Sequence, residues 1–192
     1  MNRRRLTAEE IRDSILNLAG QLDRSMGGSI LPTPNRAYVT STANVNPNVY
    51  VTDKRSVYLP VVRSAVYEVL QAFDFADPSV LTGKRQSTTV APQALFMMNS
   101  ELVSKKTRRL AERILADESA SDPDRIQLLW REAFGRTAFE RGSSTSEVDD
   151  ALAFLDDYES RWRKNLPEKA EEARLRAWQS LCRAVISSNE FL

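Results

Sequence analysis

Residues 87–100 read STTVAPQALFMMNS, a β-branched run that meets a proline and then continues as an apolar helical pattern. Pro92 suits the first turn of a helix, where its missing N–H costs no hydrogen bond. Apolar residues then follow one helical face that drifts slowly round the axis, namely Leu95, Met98, Leu102, Val103, Leu110 and Ile114. Asn99 and Ser100 predict a break and a fresh helix start within this run.

Two amides, Gln93 and Asn99, bracket the most apolar part of this pattern. A buried amide has to be hydrogen-bonded, because its desolvation is otherwise uncompensated. We interpret the two amides as ties to the preceding extended segment, and binding of a ligand is the alternative.

The remaining sequence predicts a mainly α protein, with about six amphipathic helices in one irregular helical domain over residues 1–192. Thr7 and Glu10 have the spacing of a capping box, which predicts a helix start. The paired glycines at 27–28 predict the end of this helix near Met26. Further helix starts are predicted at Pro60, at Asp122, within 143–145 and near Glu168.

Residues 28–58 differ in composition, since they carry prolines, many Asn and Thr, and alternating Val and Tyr. This pattern predicts a short extended or β segment near residues 36–58. Structureless loops of this length are uncommon in compact domains. We therefore expect the segment to be functional or fastened to the helical body, residues 60–192.

Composition excludes several classes of site. The chain contains no histidine, which removes the commonest general base and metal ligand and rules out Ser-His-Asp and Cys-His triads within it. Haem attachment through CxxCH is excluded for the same reason. We predict no catalytic residue, no metal site and no cofactor in this chain, and Cys182 is interpreted as a structural core thiol.

The net charge and the distribution of apolar residues indicate whether the chain binds nucleic acid or spans a membrane. The formal net charge is +1, so long-range steering toward nucleic acid is weak, and the basic runs lack interleaved aromatic residues. No nucleic-acid partner is predicted. No run approaches the ~18 apolar residues of a membrane-spanning helix, and the N-terminal segment is amphipathic rather than a signal peptide. Localisation does not follow from these residues.

Two polar groups are candidate binding residues. Arg55, Tyr58 and Arg63 could converge on a sulfate, phosphate or carboxylate, because arginine offers forked donors. The alternative is that the arginines pair with internal acids such as Asp74 or Asp77 and hold the loop in place.

The second group lies around a predicted helix start and comprises Arg85, Thr88 and Gln93. Helix N-termini attract anions, although this spacing of residues is generic. The paired acids on later helices, such as those at 149–150 and 156–157, are interpreted as solvated faces.

Five ordered blocks resemble the planctomycete PSD domain family, a domain of unknown function. They are RRRLTAEEIRDSIL followed by MGG, then RSVYLPVVR, FDFADPS, TTVAPQALFMMNS and WQSLCRAVISSNEFL. The resemblance implies a C-terminal piece of a larger exported protein, with a companion domain upstream and often a cytochrome-c-like domain. Haem would then belong only to such an upstream domain, and the location would be periplasmic or in the cell envelope.

The resemblance carries over no catalytic residue, so the expected function is a non-catalytic interaction or scaffold module. Its partners would be upstream domains of the same polypeptide. The binding residues would be Arg55, Tyr58, Arg63, Arg85, Gln93 and Asn99, at the junction of the extended segment and the helical body. The alternative is a subunit that binds or degrades polyanionic glycans, sulfated or uronic.

Overall fold

The structure, a computed structural model, describes residues 4–27, 30, 50–61, 66–78, 80–138, 140–141 and 145–192. The α-helices among them are α1 (Ala8–Leu18), α2 (Glu68–Ala72), α3 (Ala91–Asn99), α4 (Glu101–Leu115), α5 (Asp122–Phe134), α6 (Glu147–Asn165) and α7 (Ala173–Ile186). Short 3₁₀ helices cover Ser56–Tyr58 and Pro167–Glu172, and the two-residue strands β1 (Glu140–Arg141) and β2 (Thr145–Ser146) pair antiparallel. The predicted mainly α class is confirmed.

The chain divides into two compact units. Unit 1 comprises Met1–Asn17 and Gln21–Phe96, and unit 2 comprises Leu18–Gly20 and Met97–Leu192. The single domain over residues 1–192 stays a prediction. Of the extended segment expected near 36–58, residues 36–49 lie outside the described residues, and the rest contains the 3₁₀ helix and a parallel bridge between Asp23 and Lys54.

Helix α1 begins at the predicted capping box. The Glu10 N–H donates to Thr7 Oγ1 at 3.4 Å, and the Thr7 N–H donates to Glu10 Oε2 at 2.7 Å. The predicted end near Met26 is wrong. Gly20 adopts a φ of 69°, which ends the helix in the left-handed conformation that glycine takes without a steric penalty.

Helix α2 is shorter than the sequence predicts. The predicted helix start at Pro60 is wrong. Residues 60–61 and 66–67, which the structure describes, are not helical, and α2 begins only after Tyr67, whose ψ is 135°. The Tyr67 ring stacks on Tyr50 with centroids 4.5 Å apart, and the Tyr50 hydroxyl donates to the Pro60 carbonyl at 3.1 Å. The stacked ring belongs to the residue directly before α2, and helical periodicity does not predict such a contact.

The buried apolar side chains of unit 1 come from α1, from α2 and its C-cap, and from the segment around the 3₁₀ helix. They are Ala8, Ile11, Ile15, Leu16, Tyr50, Leu59, Val69, Leu70 and Phe73. Phe73 meets Phe96 edge to face, with ring centroids 5.7 Å apart.

Unit 2 is built from α4, α5, α6 and α7, with α7 packed against both α4 and α6. Trp178 on α7 is fully buried at its centre. Gly135 ends α5 with a φ of 68°. The N-cap of α6 is Ser146. The sequence predicted a cap within 143–145, and of these residues the structure describes only Thr145, which lies in β2.

The last helix is also shorter than the sequence predicts. The turns over Pro167–Glu172 are 3₁₀ and are interrupted at Lys169, which has a non-helical backbone, and α7 begins at Ala173 rather than near Glu168. Across the described part of the chain, no helix combines the length and apolar character needed to cross a membrane.

Candidate functional site

A fully buried arginine on α1 organises unit 1. Arg12 is 0% exposed, and its Nη1 and Nη2 atoms donate to the carbonyls of Lys54 at 2.8 Å and Thr52 at 2.5 Å. Burial of a charged side chain is costly unless its donors are satisfied. These two bonds therefore fix the backbone of residues 52–54 against α1.

The neighbouring carboxylate of Asp13 continues this attachment. The Ser56 N–H donates to both Asp13 oxygens at 2.8 and 3.1 Å, and the Ser56 hydroxyl donates at 2.6 Å. The same carboxylate lies 3.4 Å from Arg12 Nη1. We call residues 50–58, held by this pair of charges, the pinned segment.

Sequence reasoning missed Arg12 and Asp13, although one signal was present. Arg12 lies four residues after Ala8 and three before Ile15, so it falls on the apolar face of α1. A charged residue on an otherwise apolar helical face indicates a buried polar contact.

The pinned segment gathers two cations around one phenol. Lys54 Nζ and the Arg55 guanidinium lie 5.8 and 5.6 Å from the centroid of the Tyr58 ring. Arg55 Nη2 reaches the Tyr58 oxygen at 3.5 Å. The hydrogen bond from Arg55, followed by one from the Gly27 backbone, holds the pKa of Tyr58 below its ordinary value. Of the three residues predicted to converge, Arg55 and Tyr58 meet, and Arg63 lies outside the described residues.

The same segment presents apolar side chains to solvent. Val51 is 80% exposed and Val57 is 74% exposed. Their backbone is fixed, since residues 52–54 and Ser56 bond to α1. The surface thus combines exposed apolar groups with a cationic and aromatic cluster.

A second polar cluster surrounds the start of α3. Gln93 is 2% exposed, and its Oε1 accepts from Arg5 Nη2 at 2.8 Å and from the Val90 N–H at 3.3 Å. Thr88 donates through its N–H and its hydroxyl to Asp74, each at 2.7 Å. Gln93 Nε2 is 3.5 Å from the same carboxylate. These bonds join the residues before α3 to the end of α2.

Arg85 belongs to the surface beside this cluster. Its Nη1 lies 2.9 Å from each carboxylate oxygen of Glu9, and its guanidinium lies 4.7 Å from the Phe75 ring centroid. Asn99 is exposed at the end of α3 and falls in unit 2. The predicted residues therefore separate into the Arg55–Tyr58 cluster, the α3 cluster and Asn99. Asp74, named as a possible partner of an arginine, instead accepts from Thr88.

Cys182 is fully buried on α7, and burial raises the pKa of its thiol above the ordinary value. A thiol in this state has little thiolate character at neutral pH, so it packs as a small apolar group. Within the part of the chain that the structure describes, no group of three or more His, Cys, Asp or Glu side chains could hold a metal ion.

Comparison with models of known protein families assigns the chain to a family. A family model described as "PSD1: Protein of unknown function (DUF1553)" matches residues 1–154 of the 192 residues. The chain belongs to this family. The resemblance to a PSD domain is thereby confirmed, and the matched range contains four of the five blocks, while the fifth block, at 178–192, lies beyond it. Neither a curated protein nor a solved structure matches the chain.

Proposed function

We propose that this PSD1 chain is a non-catalytic interaction or scaffold module of an extracytoplasmic multidomain protein. Its binding surface would be the pinned segment. The observation that carries the proposal is the attachment of this segment to α1 by the fully buried Arg12.

Fixing the backbone of a recognition segment before binding favours affinity, because less conformational entropy is lost on association. Arg12 and Asp13 provide that order for the pinned segment, which keeps Val51 and Val57 exposed. Arginine and tyrosine are enriched at protein interfaces. The cluster of Arg55 and Tyr58 fits this composition.

The partner we propose is the companion domain of the same polypeptide, which the family resemblance implies. Its complementary surface would have an apolar centre for Val57 and carboxylates facing Lys54 and Arg55. The contribution of those charges would appear in the association rate and its salt dependence more than in affinity.

The test measures binding of the whole chain to the separately purified companion domain by calorimetry. Val57→Asp places a charge in the apolar centre, and we expect affinity to fall at least about tenfold, which is ~1.4 kcal/mol. Val80→Asp is the matched control, because Val80 is also exposed (63%) in unit 1 but lies outside the pinned segment. Absence of binding, or equal loss in both variants, would overturn the proposal.

A second candidate is binding of polyanionic glycans, with or without their degradation. It is supported by the two cations that flank Tyr58. Arg85 supports it less, since its Nη1 already contacts Glu9. A heparin-derived oligosaccharide should then bind with an affinity that falls as salt rises, and Arg55→Ala should weaken it more than Arg24→Ala, an exposed cation of unit 1. Equal affinities of the two variants would contradict this candidate.

A further inference from the structure

A pocket of about 390 Å³ opens in unit 2 between α5, α6 and α7. Small-molecule sites commonly fall in the range of roughly 300–1,000 Å³ and are mostly apolar with a few polar groups. The lining residues are Trp130, Glu147, Asp150, Ala151, Phe154, Leu181 and Ala184. Its composition therefore matches that of a small-ligand site.

Two aromatic rings form part of the pocket wall. Trp130 is 8% exposed and meets Phe134 edge to face, with centroids 6.0 Å apart, so its position is fixed. Phe154 is 37% exposed, and its ring lies 5.9 Å from that of Tyr158, one turn further along α6. The faces of aromatic rings carry negative charge density and attract organic cations.

Carboxylates from α6 complete the lining. Glu147 accepts two hydrogen bonds from Arg136, at 2.8 and 3.0 Å, and this fixes its position in the wall. Asp150 is exposed and lines the same pocket. A carboxylate that lines a pocket beside aromatic rings favours a positively charged ligand.

We propose that this pocket binds a small organic cation with an apolar body. The ammonium group would face Asp150, and the apolar body would lie against Trp130, Phe154 and Leu181. This inference is independent of the proposed function, which concerns the pinned segment of unit 1. The two can therefore fail separately.

The probe is phenethylammonium, titrated into the whole chain and followed by calorimetry or by ligand-observed NMR. A ligand of this size, at the intermediate binding efficiency of small ligands, should have a Kd on the order of 1 mM. The neutral control is 2-phenylethanol, which has the same ring and length. We expect it to bind about three- to fivefold more weakly, because it lacks the charge that Asp150 attracts.

Asp150→Asn should weaken binding of phenethylammonium by about three- to fivefold, as for a partly exposed charge pair. Asp156→Asn is the matched control, since Asp156 is exposed on the same helix and does not line the pocket. Both substitutions lie on the surface, so the fold should persist. Equal affinity for the amine and the alcohol, equal affinity of both variants, or no saturable signal up to about 20 mM would each overturn the proposal.

Discussion

Replacement of the buried arginine tests the attachment of the pinned segment. In Arg12→Ala the carbonyls of Thr52 and Lys54 lose their charged donors, which lie at 2.5 and 2.8 Å in the native protein. A hydrogen bond to a charged group contributes about 1.5–3 kcal/mol. Both carbonyls belong to half-exposed residues that water can reach after the change, so we expect a net loss of about 3 kcal/mol rather than the full sum.

The assay is amide hydrogen exchange, because it reports unit 1 without requiring the whole chain to unfold in one step. The Ser56 N–H is the reporter, since it donates to Asp13 beside Arg12. A loss of about 3 kcal/mol corresponds to exchange faster by roughly a hundredfold. Urea unfolding followed by circular dichroism gives an independent measure of the same loss.

Arg24→Ala is the matched control for this change. Arg24 is exposed and donates to Asn17 Oδ1 at 2.9 Å, so its removal should alter stability by no more than about 0.5 kcal/mol. A rise of less than about fivefold in exchange of the Ser56 amide in Arg12→Ala would show that Arg12 does not hold the pinned segment. Equal exchange rates in Arg12→Ala and Arg24→Ala would show the same.

Three further substitutions have defined expectations. Asp74→Ala should lower stability in urea by about 2–3 kcal/mol, because it removes both acceptors of Thr88 and leaves alanine at a φ of 55°, and an effect below about 0.5 kcal/mol would contradict this. Gly20→Ala should cost about 1 kcal/mol from its φ of 69°, measured as a lower urea midpoint, and an unchanged midpoint would refute it. Burial opposes ionisation of Asp122, but hydrogen bonds led by that from Arg174 hold its pKa below the ordinary value. The stability that ionised Asp122 contributes is present at pH values above its unfolded-state pKa and is lost as pH falls through its folded-state pKa. Asp122→Asn should therefore flatten the acid side of the plot of stability against pH, and an unchanged acid slope would contradict this expectation.

Local signals in the sequence predicted the elements whose contacts are close along the chain. Thr7 and Glu10 are three residues apart, and their capping box forms as the spacing predicts. The break after Asn99, with Ser100 as the N-cap of α4, is local in the same sense. By contrast, α2 starts only after Tyr67, whose ring stacks on Tyr50, a contact that helical periodicity does not predict.

The candidate site depended more strongly on distant contacts. The contact between Arg55 and Tyr58, which are three residues apart, is local. Arg12, by contrast, bonds to the carbonyl of Thr52, 40 residues away, and no local pattern identifies that acceptor.

The sequence by itself determined the mainly α class, the starts of α1, α4 and α5, and the absence of histidine chemistry. These follow from the 3.6-residue period, from capping spacing and from residue counts, all of which are local or compositional. Only the tertiary structure decided which charges are buried and what they hold, as with Gln93 and Arg5, which are 88 residues apart. The physical reason is that burial of a polar group is tolerated only where a partner meets it, and the partner's place in the sequence is fixed by packing rather than by any local pattern.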